Sequence, residues 1–298
     1  MSTSHFIFKI KIGSLASFFI YFLLCGNICL EAKENQNKST ASIVDISKNR
    51  APVFFVHGLL VSNTVYKDVI PLKSVFKKNG YELYLPERDQ DMTIEERAEV
   101  LYEEINKIYP AGKFHIIGHS AGGIDARFAL WKYKDLAKRC LSLTTMASPH
   151  WGSPVADDII VSVDSENPSL SGGFFKFLFD KIPNARQLTY EMTTEFMHSF
   201  NTYVEDDTHV RYFSIGFYIE QPFYLFASPV SWNDHLKLLS KGIELNDGPV
   251  PLASSIWGEM LPSMPGDHFS ETSQIQYGKK EIFQDIFSKL LQNLDKNF

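Results

Sequence analysis

The sequence predicts an α/β protein with a mostly parallel central sheet and helices on both faces of that sheet. Three observations predict this fold class. From residue 50 onward, short apolar runs alternate with stretches of helical periodicity. Glycine and proline mark the boundaries between the runs. After residue 150 the alternation stops, and a long insertion of about 151–210 precedes a return of strand character in RYFSIGF.

Four apolar runs predict the first strands, in the order PVFFVHG, YELYLP, FHIIGHS and LSLTTMAS. Helical stretches lie between them. The first, PLKSVFKKNG, has Pro71 near its start and stops at Gly80. The second begins with a capping box at Thr93–Glu96, carries one apolar face and ends at Pro110. The third, AGGIDARFALWKY, directly follows the third strand. Because parallel strands need helical crossovers, this order predicts a parallel sheet.

The N-terminus indicates export. A basic start precedes the apolar run IGSLASFFIYFLLCGNICL, and the small residue Ala32 comes just before a polar segment. This order is typical of a secretory signal peptide over 1–32, which a disordered linker over 33–49 would follow. The alternative is an uncleaved membrane anchor, because the run is nearly long enough to span a bilayer. We favour cleavage, since Gly26 and Asn27 interrupt the run, and we expect a secreted or periplasmic protein.

The composition of the full sequence limits the partners that the chain can have. At 298 residues and 44% hydrophobic, it can bury one large core or two small ones. The formal charge of −6 argues against nucleic acid, which requires a basic face. With the signal removed, Cys140 is the only cysteine, so no intramolecular disulfide can form, and we expect its thiol to be a small buried hydrophobe. We find no internal repeat and expect a monomer.

A nucleophile motif lies between the third strand and the third helix. Gly118-His119-Ser120-Ala121-Gly122 matches the pattern G-x-S-x-G, in which a strained turn presents a serine hydroxyl. The match alone is weak, but the strand before it and the helix after it are the context that the motif requires. The flanking glycines are needed because the turn leaves no room for side chains. We therefore predict that Ser120 is a nucleophile; the alternative is a Gly/Ser turn without chemistry.

The first strand ends in His57-Gly58, which predicts part of an oxyanion hole. An acyl-transfer enzyme needs two backbone N–H donors that face the oxyanion. One follows the nucleophile and belongs to Ala121, and the other comes from a loop after an earlier strand. Gly58 permits the turn that would present the N–H of Leu59. We expect His57 to brace that loop by hydrogen bonding; an ordinary turn histidine is the alternative.

The base and the acid are predicted from chain order, which in this arrangement runs Ser, then Asp or Glu, then His. Asp247 lies in the turn LNDGPVP, and His268 is the only histidine after it. An ordinary Asp-Gly turn and an exposed loop histidine are the alternatives. Asp267 is a poor rival, since adjacent residues usually point apart. We expect His119 to pack over the sheet, and His150 to follow a strand and line the cleft.

With these pieces assembled, the chain resembles the bacterial true lipases, which are secreted triacylglycerol lipases of the α/β-hydrolase fold. The resemblance covers roughly residues 51–275 and rests on PVFFVHGLL, FHIIGHSAGGIDARF, TTMASPHWGSPVAD, QLTYEMTTEFMHSFN, RYFSIG, LNDGPVP and DHFSE. It implies a catalytic triad of Ser120, Asp247 and His268, with oxyanion donors on Leu59 and Ala121.

The chain departs from that family in one metal ligand. Family members commonly bind a structural calcium partly through an Asp two residues after the catalytic His, where this chain has Ser270. Gln274 in the same loop fits the family pattern. Because the loss of a carboxylate weakens an oxygen-ligand site strongly, we expect no required cofactor or metal. The disulfide of some relatives is also absent.

The resemblance implies long-chain acylglycerol esters as substrates, reached at a lipid surface under a mobile lid. The cluster FFKFLF, Phe174 to Phe179, would give a helix a large apolar face, and we expect it to be a lid segment. The alternative is an ordinary buried helix. A phospholipase or an acyltransferase would use the same triad. An inert membrane-associated binding protein with this fold is a further alternative, against which the intact Ser, Asp and His argue.

Overall fold

The computed structural model describes residues 50–58, 72–87, 92–164, 184–220, 229–268 and 280–296. The expected signal peptide and linker lie outside these ranges, as do Leu59, the aromatic segment 174–179, and the loop with Ser270 and Gln274. Among the described helices, none is both long enough and apolar enough to cross a bilayer.

The predicted parallel sheet is confirmed. Six strands lie in the order β2-β1-β3-β4-β5-β7, and every neighbouring pair is parallel. Two further short strands, β6 and β8, pair in parallel with each other. The strands are β1 Val53–Val56, β2 Leu83–Tyr84, β3 Phe114–His119, β4 Cys140–Met146, β5 Arg211–Ile215, β6 Phe217–Tyr218, β7 Glu259–Met260 and β8 Met264–Pro265.

Helices supply the crossovers between the parallel strands. In chain order they are α1 Leu72–Lys78, α2 Ile94–Ile108, α3 Ala121–Lys132, α4 Lys134–Arg139, α5 Pro154–Asp164, α6 Ala185–Tyr190, α7 Thr194–Tyr203, α8 Pro229–Ser240 and α9 Lys280–Lys296. A short 3-10 helix spans Leu252–Ser255. The first three helices follow the prediction, whereas α5 to α7 occupy the part of the chain that was predicted only as an insertion.

The core has two layers, one on each face of the sheet. Neighbouring strand residues enter different layers: Phe54 and Ile116 belong to one, and Phe55 and Ile117 to the other. The first layer is completed by side chains of α2, α3 and α7, and the second by side chains of α1 and α9. Burial on both faces explains why the strands read as continuous apolar runs without alternation. Cys140 begins β4 and is buried, as expected.

The capping box at the start of α2 is confirmed. The backbone N–H of Glu96 donates to the Thr93 hydroxyl over 3.4 Å, and the N–H of Thr93 donates to the Glu96 carboxylate over 2.8 Å. One turn later, the buried guanidinium of Arg97 donates to both carboxylate oxygens of Asp125 on α3 over 3.0 Å. These contacts fix α2 on α3, the helix that follows Ser120.

Part of the segment between β4 and β5 contributes to the buried core. Met197 and Phe200 of α7 are buried in the core layer that α2 and α3 complete. The side chain of Asp157 on α5 accepts hydrogen bonds from the N–H and hydroxyl of Thr194, each over 2.8 Å, which connects α5 to α7. The described part of the insertion is therefore packed against the sheet and belongs to the fold.

Candidate active site

Ser120 is the single residue between the end of β3 and the start of α3. Its backbone has φ 54° and ψ −132°, a conformation that costs a side-chain-bearing residue about 1–3 kcal/mol. The turn is held in place by the N–H of Ser120, which donates to the carbonyl of Met146 on β4 over 2.8 Å. A Cβ on Gly118 would lie 2.5 Å from the Cα of Gly123, so only glycine fits there. The sharp turn that the motif predicts is therefore present.

The structure brings Ser120, His268 and Asp247 together from three distant parts of the chain. The Ser120 Oγ lies 2.9 Å from the Nε2 of His268. The Nδ1 of the same ring lies 2.7 Å from the Oδ2 of Asp247. Because a carboxylate can only accept, Nδ1 carries the proton, and Nε2 is left to accept the hydrogen of the Ser120 hydroxyl. The geometry supplies a hydroxyl, a base and an acid in one hydrogen-bonded series.

In the turn that holds Asp247, both carboxylate oxygens accept a hydrogen bond. Its Oδ1 accepts from the N–H of Val250 over 2.9 Å, while Oδ2 faces the imidazole. The backbone N–H of His268 donates to the Asp247 carbonyl over 2.9 Å. Gly248, with φ +115°, allows the turn, and its N–H donates to the side chain of Asn246 over 3.1 Å. Backbone and side-chain contacts thus join the acid to the base.

Carboxylates control the protonation of His268. Burial disfavours the imidazolium, but the charge and hydrogen bond of Asp247, assisted by Asp267 and Asp234, outweigh it and raise the pKa of His268. Asp267 is fully buried and accepts from the hydroxyl of Ser231 over 3.3 Å. Burial in turn raises the pKa of Asp234, although Lys237 stands 3.0 Å away. A base with this surrounding can accept and hold a proton.

The loop after β1 reaches the nucleophile. A Cβ on Gly58 would lie 2.7 Å from the Cβ of Ser120, so the loop backbone passes directly beside the serine. The Nδ1 of His57 is 2.8 Å from the carbonyl of Gly58, which agrees with the expected bracing. Ala121 is the first residue of α3, at its N-terminal end. Leu59 lies outside the described residues, so its expected N–H contact stays a prediction.

The expectation that His150 lines the cleft is wrong. Its side chain is completely buried, with Nε2 2.9 Å from the Thr145 hydroxyl and Nδ1 3.2 Å from Nη1 of Arg127. Thr145 donates its own hydrogen to the carbonyl of Phe213 over 3.3 Å, so Nε2 of His150 is the protonated nitrogen. Burial, with the charge of Arg127, holds the pKa of His150 well below its ordinary value. This imidazole is a structural hydrogen-bonding group.

Arg127 connects His150 to a second family segment. Its Nη1 donates to Asn201 Oδ1 over 3.1 Å, and Asn201 donates to the carbonyl of His150 over 2.8 Å. The guanidinium carbon lies 3.4 Å from the ring centroid of Trp257, a close cation–π contact. This cluster explains why PHWGS and the segment ending at Asn201 occur together, which the sequence pattern alone left without a physical reason.

The expectation that calcium is not required stays a prediction, because the loop with Ser270 and Gln274 lies outside the described residues. The oxygens of Asp247 already accept from an imidazole and a backbone N–H, Asp267 accepts from Ser231, and Asp234 pairs with Lys237. Within the described ranges, no group of His, Cys, Asp and Glu side chains is arranged to hold a metal ion. Calcium requires several free oxygen ligands, so we derive no chemical step from it.

The chain is similar in sequence to one curated lipase and in fold to solved lipases and esterases. No family model matches the chain. Triacylglycerol lipase 2 of Saccharomyces cerevisiae is 34% identical over an alignment of 210 residues that covers 67% of this chain. The match spans only 59% of that relative's own length. The relative is a yeast protein, so the resemblance is not confined to the bacterial lipases.

Two solved structures share the fold. Mature Bacillus licheniformis lipase BlEst2 superposes with a TM-score of 0.63 at 24% identity, over 81% of this chain and 92% of that one. The metagenomic carboxyl esterase MGS0156 superposes with a TM-score of 0.66 at 19% identity, over 90% of this chain and 82% of that one. The parallel sheet, the serine turn and both superpositions show the α/β-hydrolase fold, and the chain is similar in sequence to a curated triacylglycerol lipase.

Proposed function

We propose that the chain is a serine ester hydrolase that cleaves the carboxylic esters of acylglycerols through an acyl-enzyme. The observation that supports this most directly is the series Ser120 Oγ, His268 Nε2, His268 Nδ1 and Asp247 Oδ2, with separations of 2.9 and 2.7 Å at its two hydrogen bonds. Such a series activates a hydroxyl that is otherwise a weak nucleophile.

The first half of the reaction acylates the enzyme. Ser120 attacks the ester carbonyl carbon while His268 Nε2 takes the hydroxyl proton. Asp247 keeps the proton of Nδ1 in place and stabilises the imidazolium, consistent with the raised pKa of His268 beside its charge. The negative charge on the carbonyl oxygen is expected to be held by the N–H groups of Leu59 and Ala121. His268 then gives its proton to the leaving alcohol, and the acyl group stays on Ser120.

The second half frees the acid. Water takes the place of the alcohol, His268 removes one of its protons, and the resulting hydroxide attacks the acyl-enzyme carbonyl. When the tetrahedral intermediate collapses, His268 returns the proton to Ser120 and the fatty acid leaves. Phospholipid cleavage would use the same steps, and acyl transfer would replace water with an alcohol.

The direct test is a substrate panel on wild type beside Ser120→Ala. Triolein, phosphatidylcholine and short p-nitrophenyl esters are supplied with and without an acceptor alcohol. We expect fatty acid release from triolein, and a loss of about 10⁴-fold or more in Ser120→Ala. Preference for phosphatidylcholine would favour a phospholipase, and ester formation with the alcohol an acyltransferase. If a fluorophosphonate does not label Ser120 of the wild-type protein, that result would favour the inert binding protein and contradict the proposal.

The place of action is also part of the proposal. We propose that the protein is exported and that residues 1–32 are then cleaved off. The linker 33–49 would precede a monomeric domain over 50–298. This domain would act at a lipid surface under a lid near residues 174–179. N-terminal sequencing of the exported protein distinguishes cleavage from a retained anchor. Comparison of emulsified with monomeric ester tests the lid, since equal rates per molecule would exclude it. Activity that survives a calcium chelator is expected, because the proposed steps need no metal.

A further inference from the structure

The imidazole of His119 lies against the imidazole of His268. Their ring centroids are 5.1 Å apart, with 37° between the ring planes. His119 is the last residue of β3, so the strand that presents the nucleophile also presents this ring. The side chain is 4% exposed and also hydrogen bonds to the backbone of His268. His268 is therefore contacted by His119 at both its ring and its main chain.

Given the proposed hydrolase, we propose that His119 is a positioning residue, which keeps the His268 imidazole between Ser120 and Asp247. It contacts neither the substrate nor the proton that moves. Its ring fills the space beside the His268 ring, and its hydrogen bond holds the His268 main chain at the rim of the sheet. Geometry of this kind has large consequences, because a displacement of about 1 Å at a reacting group costs on the order of 100-fold in rate.

A positioning ring beside an imidazolium must not carry a charge of its own. Burial first, and then the charge of His268, holds the pKa of His119 well below its ordinary value, and His57 acts in the same direction. The acidic groups around His268 are Asp247 in the turn, Asp267 in its own loop and Asp234 on α8. His119 thus remains neutral while the neighbouring ring gains and loses its proton.

Two substitutions separate the parts of this role. His119→Phe keeps an aromatic ring and removes the hydrogen bond, whereas His119→Gln keeps a hydrogen-bonding group and removes the ring. His115→Gln is the matched control, because His115 is also buried on β3 but bonds to the Ser142 hydroxyl over 2.7 Å. Burial lowers the pKa of His115 to about 4, so the control also removes a neutral imidazole.

The measurement is kcat and KM on a soluble p-nitrophenyl ester, per serine titrated with a fluorophosphonate, from pH 5 to 9. We expect kcat of both His119 variants to fall about tenfold, with KM within about twofold of wild type. A ring that drifts from Asp247 loses the interaction that raises its pKa, so the acid limb of kcat/KM moves to lower pH. The control keeps kcat per titrated serine.

Three results would overturn the proposal: kcat per titrated serine unchanged in both variants, a rise in KM alone, or an equal loss in His115→Gln. If the His119 variants do not fold, ¹⁵N-histidine NMR on wild type takes their place. We expect one imidazole to titrate with the activity while that of His119 stays neutral down to pH 5; an imidazolium at His119 near pH 6 would contradict the role. If the wild-type protein neither hydrolyses esters nor reacts with the fluorophosphonate, the proposed function itself would be wrong.

Discussion

Two buried histidines lie beyond neighbouring strands, His268 beside the end of β3 and His150 just after β4, and their neighbours give them opposite properties. His268 faces the carboxylate of Asp247 at 2.7 Å, whereas His150 faces the guanidinium of Arg127 at 3.2 Å. Both rings are buried, which by itself disfavours the charged form. The pKa of His268 is nevertheless raised by its carboxylates, and that of His150 is lowered by burial and by the cation.

Burial alone therefore does not make a histidine either reactive or inert. Each ring uses both nitrogens in hydrogen bonds, so neither is poorly satisfied. The sign of the neighbouring charge decides whether the ring can take a proton from a partner. At His268 the partner on Nε2 is the hydroxyl of Ser120, whereas at His150 it is a threonine hydroxyl that already donates to a carbonyl.

Removal of the carboxylate should change the site most. In Asp247→Asn the amide can donate to Nδ1 and so favour the wrong tautomer of His268, with a loss of about 10³–10⁴-fold in kcat. The acid limb of the remaining activity should move to lower pH. The reason is that the Asp247 carboxylate raises the pKa of His268, and the neutral amide does not. Stopped-time hydrolysis assays across pH measure both effects.

Asp234→Asn is the control for that substitution. It removes a buried carboxylate of the same region, but one whose partner is Lys237 at 3.0 Å. We expect less than about a tenfold loss in kcat, because the imidazole keeps its tautomer. Equal losses in the two variants would mean that total charge, and not the Asp247 hydrogen bond, sets the activity of His268.

Removal of the cation should act on stability instead. Arg127→Met leaves the acceptors on His150 and Asn201 without their donor, and we expect unfolding in urea to show a loss of about 3 kcal/mol. The rate per titrated serine should stay within about threefold, since the hydrogen bonds of Ser120, His268 and Asp247 do not involve Arg127. A large loss of rate without a loss of stability would contradict the structural role given to this cluster.

Acid should destabilise the fold through protonation of His150 in the unfolded state. A group whose pKa is lowered by folding takes up a proton on unfolding, so its contribution to stability is lost as pH falls below about 6.5. His268 has the opposite sign, since its raised pKa stabilises the fold below pH 6.5 and that contribution is lost as pH rises through the raised value.

The matched variant for this prediction is His150→Gln, which retains a donor for Thr145 and an acceptor for Arg127 but cannot titrate. The free energy of unfolding in urea should differ less between pH 7 and pH 5 in this variant than in wild type. If both proteins lose the same stability between the two pH values, another group binds the proton, and the comparison of the two histidines would need revision.

Much of this organisation was predictable because local patterns carried it. The β1, β3 and β4 runs are buried on both faces, so hydrophobicity alone marks them. Ser120, Asp247 and His268 could be found because each lies in a distinctive turn and their order along the chain is restricted. The short strands β7 and β8 were not predicted, because Gly258, Pro262 and Pro265 interrupt any longer run around them. The equally short β2 was predicted because it lies inside the run YELYLP.

The role of His150 was missed for a related reason. Its partners Arg127, Asn201 and Trp257 are separated by dozens of positions, and only the folded chain brings them together. From the sequence, a histidine that follows a strand near the predicted nucleophile suggests a place in the cleft. The helices α5 to α7 were also not predicted, because the chain over about 151–210 was treated only as an insertion.

The backbone of Ser120 has one more consequence, which concerns evolution of the protein more than its chemistry. With φ 54° and ψ −132°, the position suits glycine better than any other residue, so the hydroxyl is retained against a local preference. Ser120→Gly should therefore unfold at a higher temperature than wild type and Ser120→Ala should not, with a gain of about 1 kcal/mol for glycine. Selection for stability alone would favour glycine at position 120, where this chain carries a hydroxyl.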